Sequence, residues 1–343
     1  MAYTTIPKST DYFNTKLYTG NYSTNAITGV GFQPDLTWIK TRTTAGENHY
    51  LFDVIRGVTK YIHSDTNAAQ GTNAATLTAF GSDGFTVGAN NSVNKSGEPL
   101  VSWNWKANGA SVSNTAGSIN STVSVNTTSG FSIVQYTGNA SQSQTVGHGL
   151  GVAPKLIIFK SSTSADDWSI CCPSVLGVDG RLTLNTTAAN SIGDNTFWNS
   201  TAPSSTLFSI GNNPRANASG QTIIAYCFAE IPGFSKMGSY EGNGNANGIF
   251  QHLGFKPAWV LIKNTTATEA YFLYDNKRGY NGSMAALFPD EAAADAFANN
   301  IDFLSNGFKI RTAGAILNGN TTKYIYMAFA SEPLVSTNGN AAT

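Results

Sequence analysis

Apolar residues in this chain come in short runs fenced by glycine and proline. Leu156–Phe159 and Trp259–Ile262 are apolar on both faces, while in Leu36–Ile39 the side chains of Leu36 and Trp38 point one way and Thr37 and Ile39 the other. Runs of this length and punctuation predict central strands covered on both sides. Pro34, Pro154 and Pro257 stand at the strand entrances, where a missing N–H costs no ladder bond. Asp83-Gly84 and Asn306-Gly307 are turn signals, each followed by a short alternating strand. Helical periodicity is confined to one candidate, Pro289–Ala298, with proline and acids at its start and Asn299-Asn300 at its end.

These elements recur in order. Tyr18-Thr19-Gly20-Asn21 returns as Tyr136-Thr137-Gly138-Asn139 and as Tyr240-Glu241-Gly242-Asn243. The block ending at Lys40 returns in blocks ending at Lys160 and Lys263, followed by turns closing on Gly57, Gly177 and Gly279. Asp53 and Arg56 precede Gly57 as Asp275 and Arg278 precede Gly279, whereas the middle copy reads Cys-Cys-Pro-Ser-Val-Leu-Gly. Each copy closes on a strand with two large apolar groups on one face: Trp103 and Trp105, Tyr226 and Phe228, Met327 and Phe329. Three ordered sets of landmarks predict an all-β chain of three tandem, divergent β-sandwich modules of roughly 100 residues, with one short helical insertion in the third. The expected boundaries are a polar arm over 1–16, module one over 17–107, a flexible Ser/Thr/Asn-rich linker over 108–129, module two over 130–232, module three over 233–335 and a polar tail over 336–343. The tight join at Ile231-Pro232-Gly233 suggests that modules two and three form a rigid pair.

Composition narrows the class. The chain has 343 residues, 12% of them charged, with 20 basic and 20 acidic side chains, so its formal charge is zero. Neutrality argues against a nucleic-acid binder, which needs a basic stripe, and 41% hydrophobic residues argue against disorder. No stretch is apolar for the ~18 residues of a membrane-spanning helix, and the first residues lack the pattern of a signal peptide. Cys171, Cys172 and Cys227 have no metal-type spacing and read as buried thiols.

Candidate chemistry is sparse. His49, His63, His148 and His252 read as turn histidines bonded to local backbone. Asp53–Arg56 and Asp275–Arg278 read as braces of the turns into Gly57 and Gly279. Glycoside hydrolysis needs two carboxylates facing a groove, and Glu47, Glu98, Asp166, Asp167, Asp194 and Glu241 offer no pairing that stands out. Trp38, Trp103, Trp105 and Trp259 fall in repeat strands and read as core. Trp198, in the polar segment Asp194–Asn199, and Trp168 lack counterparts in the other copies. They are the candidates for stacking on a sugar or a partner, with Tyr50, Tyr61 and Tyr280 behind them. No catalytic residue, cofactor or metal ligand is expected.

The opening TTIPKSTDYFNTKLYTGN, the blocks GFQPDLTWIK, SDGFTVG and HGLGVAPKLIIFK, and the closing YIYMAFASEPLV resemble virion structural proteins of tailed bacteriophages, most of all those of cyanobacterial phages. The resemblance covers about Thr4 to Val335. It implies concanavalin-like or jelly-roll-like sandwiches in a non-enzymatic virion surface or appendage protein: a tail fibre, baseplate or head-decoration component. Its partners would be other virion proteins and further copies of itself, a trimer being favoured, with host attachment through a surface polysaccharide as one role. A glycan-binding receptor protein and a polysaccharide-degrading enzyme are the alternatives. Three internal copies could equally imitate a trimer within one chain, and the sequence does not choose between these arrangements.

Overall fold

A computed structural model describes residues 4–333. The fold is all-β, 43% strand and 7% helix, with antiparallel pairing throughout its sheets. Each module has one large sheet with the same four central elements. In module one the order is Phe13–Thr19, Pro99–Trp105, Leu36–Thr41, Tyr50–Asp53. Module two repeats it as Phe131–Thr137, Thr222–Phe228, Leu156–Ser161, Ser169–Cys171, and module three as Ser235–Glu241, Lys323–Pro333, Phe255–Asn264, Phe272–Tyr280. One face of each large sheet covers a smaller sheet or ribbon of its own module, giving three separate local cores.

The opposite faces of the three large sheets meet one another. They share one further core, larger than any of the local ones, to which all three modules contribute. At its middle stand the second apolar residues of the three closing strands. Trp105, Phe228 and Phe329 form a triangle with ring centroids 6.4, 5.9 and 5.7 Å apart. The paired large groups on each closing strand thus face the centre of the molecule, and the three modules surround a pseudo-three-fold axis. All three modules join this core, so no rigid pair of modules two and three stands apart from module one.

Several sequence expectations are corrected. Residues 108–129 are no flexible linker: Ser121–Asn126 is a strand paired with Phe131–Thr137, and Val112–Asn114 pairs with it in turn, so both extend the sheet of module two. Their alternating valines bury Val123 against that module's core, a pattern masked by the surrounding Ser and Asn. The N-terminal arm is not free over its whole length. Ile6 is buried, and the first strand begins at Phe13, inside the shared core. The helix over 289–298 does not form. Its backbone bonds across to module one instead, with Gly46 N donating to Ala292 O and Asp295 N donating to Arg42 O, and Ala296–Ala298 is a strand. The tail over 336–343 lies outside the described residues.

The repeat landmarks have physical causes. Gly57, Gly177 and Gly279 have φ of 87°, 84° and 138°, the region that L side chains avoid. Pro257 sits at a register shift in its strand, where a missing N–H is tolerated, and Pro34 and Pro154 precede theirs by two residues.

The lysine that ends each central apolar run is buried in all three modules. The ammonium groups of Lys40, Lys160 and Lys263 donate to backbone carbonyls, Thr41 O at 3.1 Å, Ser161 O at 2.7 Å and Asn264 O at 2.7 Å. Burial lowers each from the ordinary 10.5 to about 8. Between pH 8 and 9 these lysines bind more protons in the unfolded chain than in the fold, so they make stability rise with pH. The buried carboxyls Asp65 and Asp290, raised by burial to about 6 and 7, titrate below this window. The cysteine thiols, raised in the fold by burial, oppose the gain as unfolded thiols ionise near pH 9, and the buried tyrosines, raised in the same way, oppose it more strongly at higher pH. Urea denaturation at pH 8 and pH 9 should show a net gain of about 2 kcal/mol, and Lys160→Met should remove about 1 kcal/mol of it.

Candidate interaction sites

The Asp–Arg pairs are more than local braces. Asp53 accepts from the backbone N of Ile55 and Arg56, and from Arg56 Nε at 2.5 Å, as expected of a turn brace. It also accepts Tyr226 Oη of module two at 2.8 Å. Asp275 likewise holds Arg278 Nε at 2.6 Å and accepts Trp103 Nε1 of module one at 2.9 Å. Tyr226 and Trp103 hold the same place in their closing strands, so in two of the three modules the first large residue reaches the turn of a neighbour. The third such place is Met327, which cannot donate, and the third turn carries Cys172 instead of Asp; both are buried in the shared core. The middle copy's lost charges therefore coincide with an apolar residue in the position that would have bonded to them.

Two more sets of contacts run around the ring. Gln70 N donates to Ser162 O, Asn190 N to Thr265 O and Asp295 N to Arg42 O, at 2.9, 2.9 and 2.7 Å. The three acceptors each lie two residues beyond a buried lysine. Trp168 Nε1 donates to His63 O at 2.7 Å, Tyr271 Oη to Thr183 O at 3.2 Å and Ser64 Oγ to Pro289 O at 2.7 Å. These contacts join module one to two, two to three and three to one. The last joint adds the ion pair of Asp295 with Arg42 at 2.8 Å, and Asp295 also pairs with Arg278 of its own module at 2.6 Å.

A second construction repeats within each module. The Tyr of the Tyr-x-Gly-Asn motif donates 2.7 Å bonds to a short helix: Tyr18 to Val93 O, Tyr136 to Ala216 O, Tyr240 to Leu317 O. Each helix ends in a buried Asn, and the motif Asn gives its backbone N to that side chain: Asn21 to Asn94, Asn139 to Asn217, Asn243 to Asn318. A Cβ on Gly20, Gly138 or Gly242 would stand 2.1–2.3 Å from a backbone carbonyl oxygen beside that helix. Sequence reading missed the buried Asn residues, although each lies six positions before Leu100, Ile223 or Tyr324, which are equivalent in the closing strands.

The aromatic candidates divide sharply. Trp198 and Trp168 are buried and correct the expectation of exposed stacking residues. Trp198 packs on Phe159 and donates Nε1 to Gly180 O, so the polar residues around it cap a short helix that tucks the indole under the sheet. Trp168 is spent on the joint with module one. Tyr50 and Tyr61 are half-buried and lean on one another. Tyr280 alone among them stands in solvent, 73% exposed. The three cysteines are buried and unpaired, as expected. His148 bonds local backbone at Leu150 N and also faces Ser204 O, and His63 Nδ1 faces His49 O. His49 departs from that pattern, since its Nδ1 accepts Trp38 Nε1 at 2.9 Å.

Among known proteins, one family model matches, over residues 8–333, and its description reads domain of unknown function (DUF7483). No curated protein and no solved structure gives a significant match.

Proposed function

The chain belongs to the DUF7483 family, and we propose that it is a non-enzymatic structural part of a tailed-phage particle, a surface or appendage component that supplies a three-fold unit from one chain. The ring of repeat-equivalent contacts carries this reading: the same positions bond module to module around a single aromatic centre. A unit of this kind suits a three-fold position among neighbours in a particle, where symmetry sets how surfaces match. The homotrimer favoured from the sequence becomes, in this reading, a trimeric arrangement internal to the monomer. The low charge supports it as well, because surfaces of Ser, Thr and Asn pack against neighbours without the cost of desolvating ions.

The test is the composition of the particle. Density-purified particles produced by the genome that encodes this chain should contain it at a fixed ratio to the major capsid protein, and immunogold labelling should place it on head or tail. Its absence from such particles would overturn the reading.

A further inference from the structure

The first strand of each module has one neighbour in common, the closing strand, and alternate backbone groups along it point the other way. In module two those outward groups are used. Ile133 and Gln135 pair with Ser124 and Thr122 of the strand Ser121–Asn126. The equivalent positions are Thr15 and Leu17 in module one, and Met237 and Ser239 in module three. In module three Ala330 N donates to Phe234 O and Gly242 N to Thr322 O. The even-numbered residues of Ser235–Glu241 therefore carry the ladder to Lys323–Pro333, and Met237, Ser239 and Glu241 turn their backbone groups outward. No described residue bonds to those groups.

Open edges recruit other strands, and monomeric proteins guard them with charge, proline, bulges or shortness. Module two guards its edge with a strand of its own, and module one places Lys16 at the centre of Phe13–Thr19. Module three has Gly238 at that place. The run Met237-Gly238-Ser239 has no charge, no proline and no register shift. Lys236, Gly238 and Ser239 are half-buried and Glu241 is exposed, so solvent reaches this edge. The other edges of the large sheets are covered or short. Leu51 and Ile170 are bridged by Ile62 and Leu182, and the outermost strands Val112–Asn114 and Ala296–Ala298 have 3 residues each.

We propose that Ser235–Glu241 pairs with the same strand of a second copy of this chain, antiparallel about a two-fold axis at Gly238. The outward groups set the register. Met237 lies opposite Ser239 of the partner subunit, and the two exchange N–H···O bonds in both directions. Glycine on the axis leaves no side chains to collide there. Lys236 falls opposite a tyrosine and Glu241 opposite a serine, so no like charges meet. An isologous contact is self-complementary and needs no further segment, whereas a strand from an unrelated protein would need pockets to select its side chains. The contact joins two rings edge to edge and does not rest on the particle role, which its failure would leave standing.

Sedimentation velocity of the full chain tests the pairing. The parent should form a dimer at micromolar concentration. Ser239→Pro removes one outward N–H from each copy and spares the ladder to Lys323–Pro333, so it should weaken the dimer about tenfold or more. Ser239→Lys should do the same by bringing two ammonium groups together beside the axis. Both variants should keep the parent circular dichroism spectrum, which separates lost pairing from lost folding, and either one decides if the other misfolds. Thr19→Pro, an outward position on the guarded edge of module one, should leave the dimer unchanged. A parent that stays monomeric would leave the edge to a different occupant and overturn the proposal. A dimer undiminished in a folded Ser239 variant, or lost equally in Thr19→Pro, would overturn it as well.

Discussion

Replacing Asp53 with alanine should lower folding stability by about 3–5 kcal/mol, the cost of stranding a buried charge. Arg56 is 5% exposed, and its partner carboxylate is its only ion pair among the described residues. The loss reaches beyond the turn, because Tyr226 Oη, buried in the shared core, would also lose its acceptor. The middle copy suggests the rescue. Asp53→Cys with Arg56→Leu and Tyr226→Met would copy the set Cys172, Leu176 and Met327, removing the charge, its partner and the donor together. An apolar replacement of a whole buried pair is often neutral, whereas removal of one partner is not. The triple variant should therefore recover at least half of the loss, with the remainder due to the carbonyls of Leu51 and Lys60, which lose Arg56 as donor. Urea denaturation followed by tryptophan fluorescence measures both variants. A triple variant no more stable than Asp53→Ala would show that the charged set is not exchangeable with the apolar one.

Asn94→Asp should cost at least about 3 kcal/mol at neutral pH, by placing an unpaired charge in a closed site. The amide of Asn94 donates to Asn21 Oδ1, Ser23 O and Gly88 O at 3.0, 2.6 and 2.8 Å, so a carboxylate oxygen in its place would face three acceptors. The two side chains have nearly the same shape, which makes the loss electrostatic and not steric. Asn94→Ala, which strands the same partners without adding charge, should lose less at neutral pH. Protonation of the new carboxyl should narrow the gap, so the two variants should converge as pH falls toward 5. Thermal unfolding across that range checks the order and the convergence; equal losses for the two variants at pH 7 would contradict it.

The strands, the triplication and the landmark glycines were legible because they are local. Alternation, turn residues and positive φ act over a few neighbouring positions, and repetition made each signal visible three times. The strands in 108–129 were not legible, since their valines are diluted by Ser and Asn and owe their burial to a sheet formed elsewhere in the chain. Pro289–Ala298 misled for the complementary reason. It has the signals of a helix start, but its backbone groups are taken by Gly46 and Arg42 of module one. Trp198 misled because polarity of neighbours was read as exposure, although its neighbours cap a short helix that carries the indole inward. Tyr280 stood among the candidates by composition, and it is exposed at the end of a strand whose turn is held by Asp302 and Phe303 from later strands.

From the sequence alone came three β modules, their order, and the paired large residues of each closing strand. Whether those pairs serve three separate cores or one shared core was a tertiary decision. Tyr226 meets Asp53 across 173 residues and Trp103 meets Asp275 across 172. No local pattern encodes such contacts, because they depend on which sheet faces turn toward one another. The large residues on those faces could be covered either by further copies of the chain or by its own other modules. The fold covers them with its own modules, and that closes three repeats into one ring.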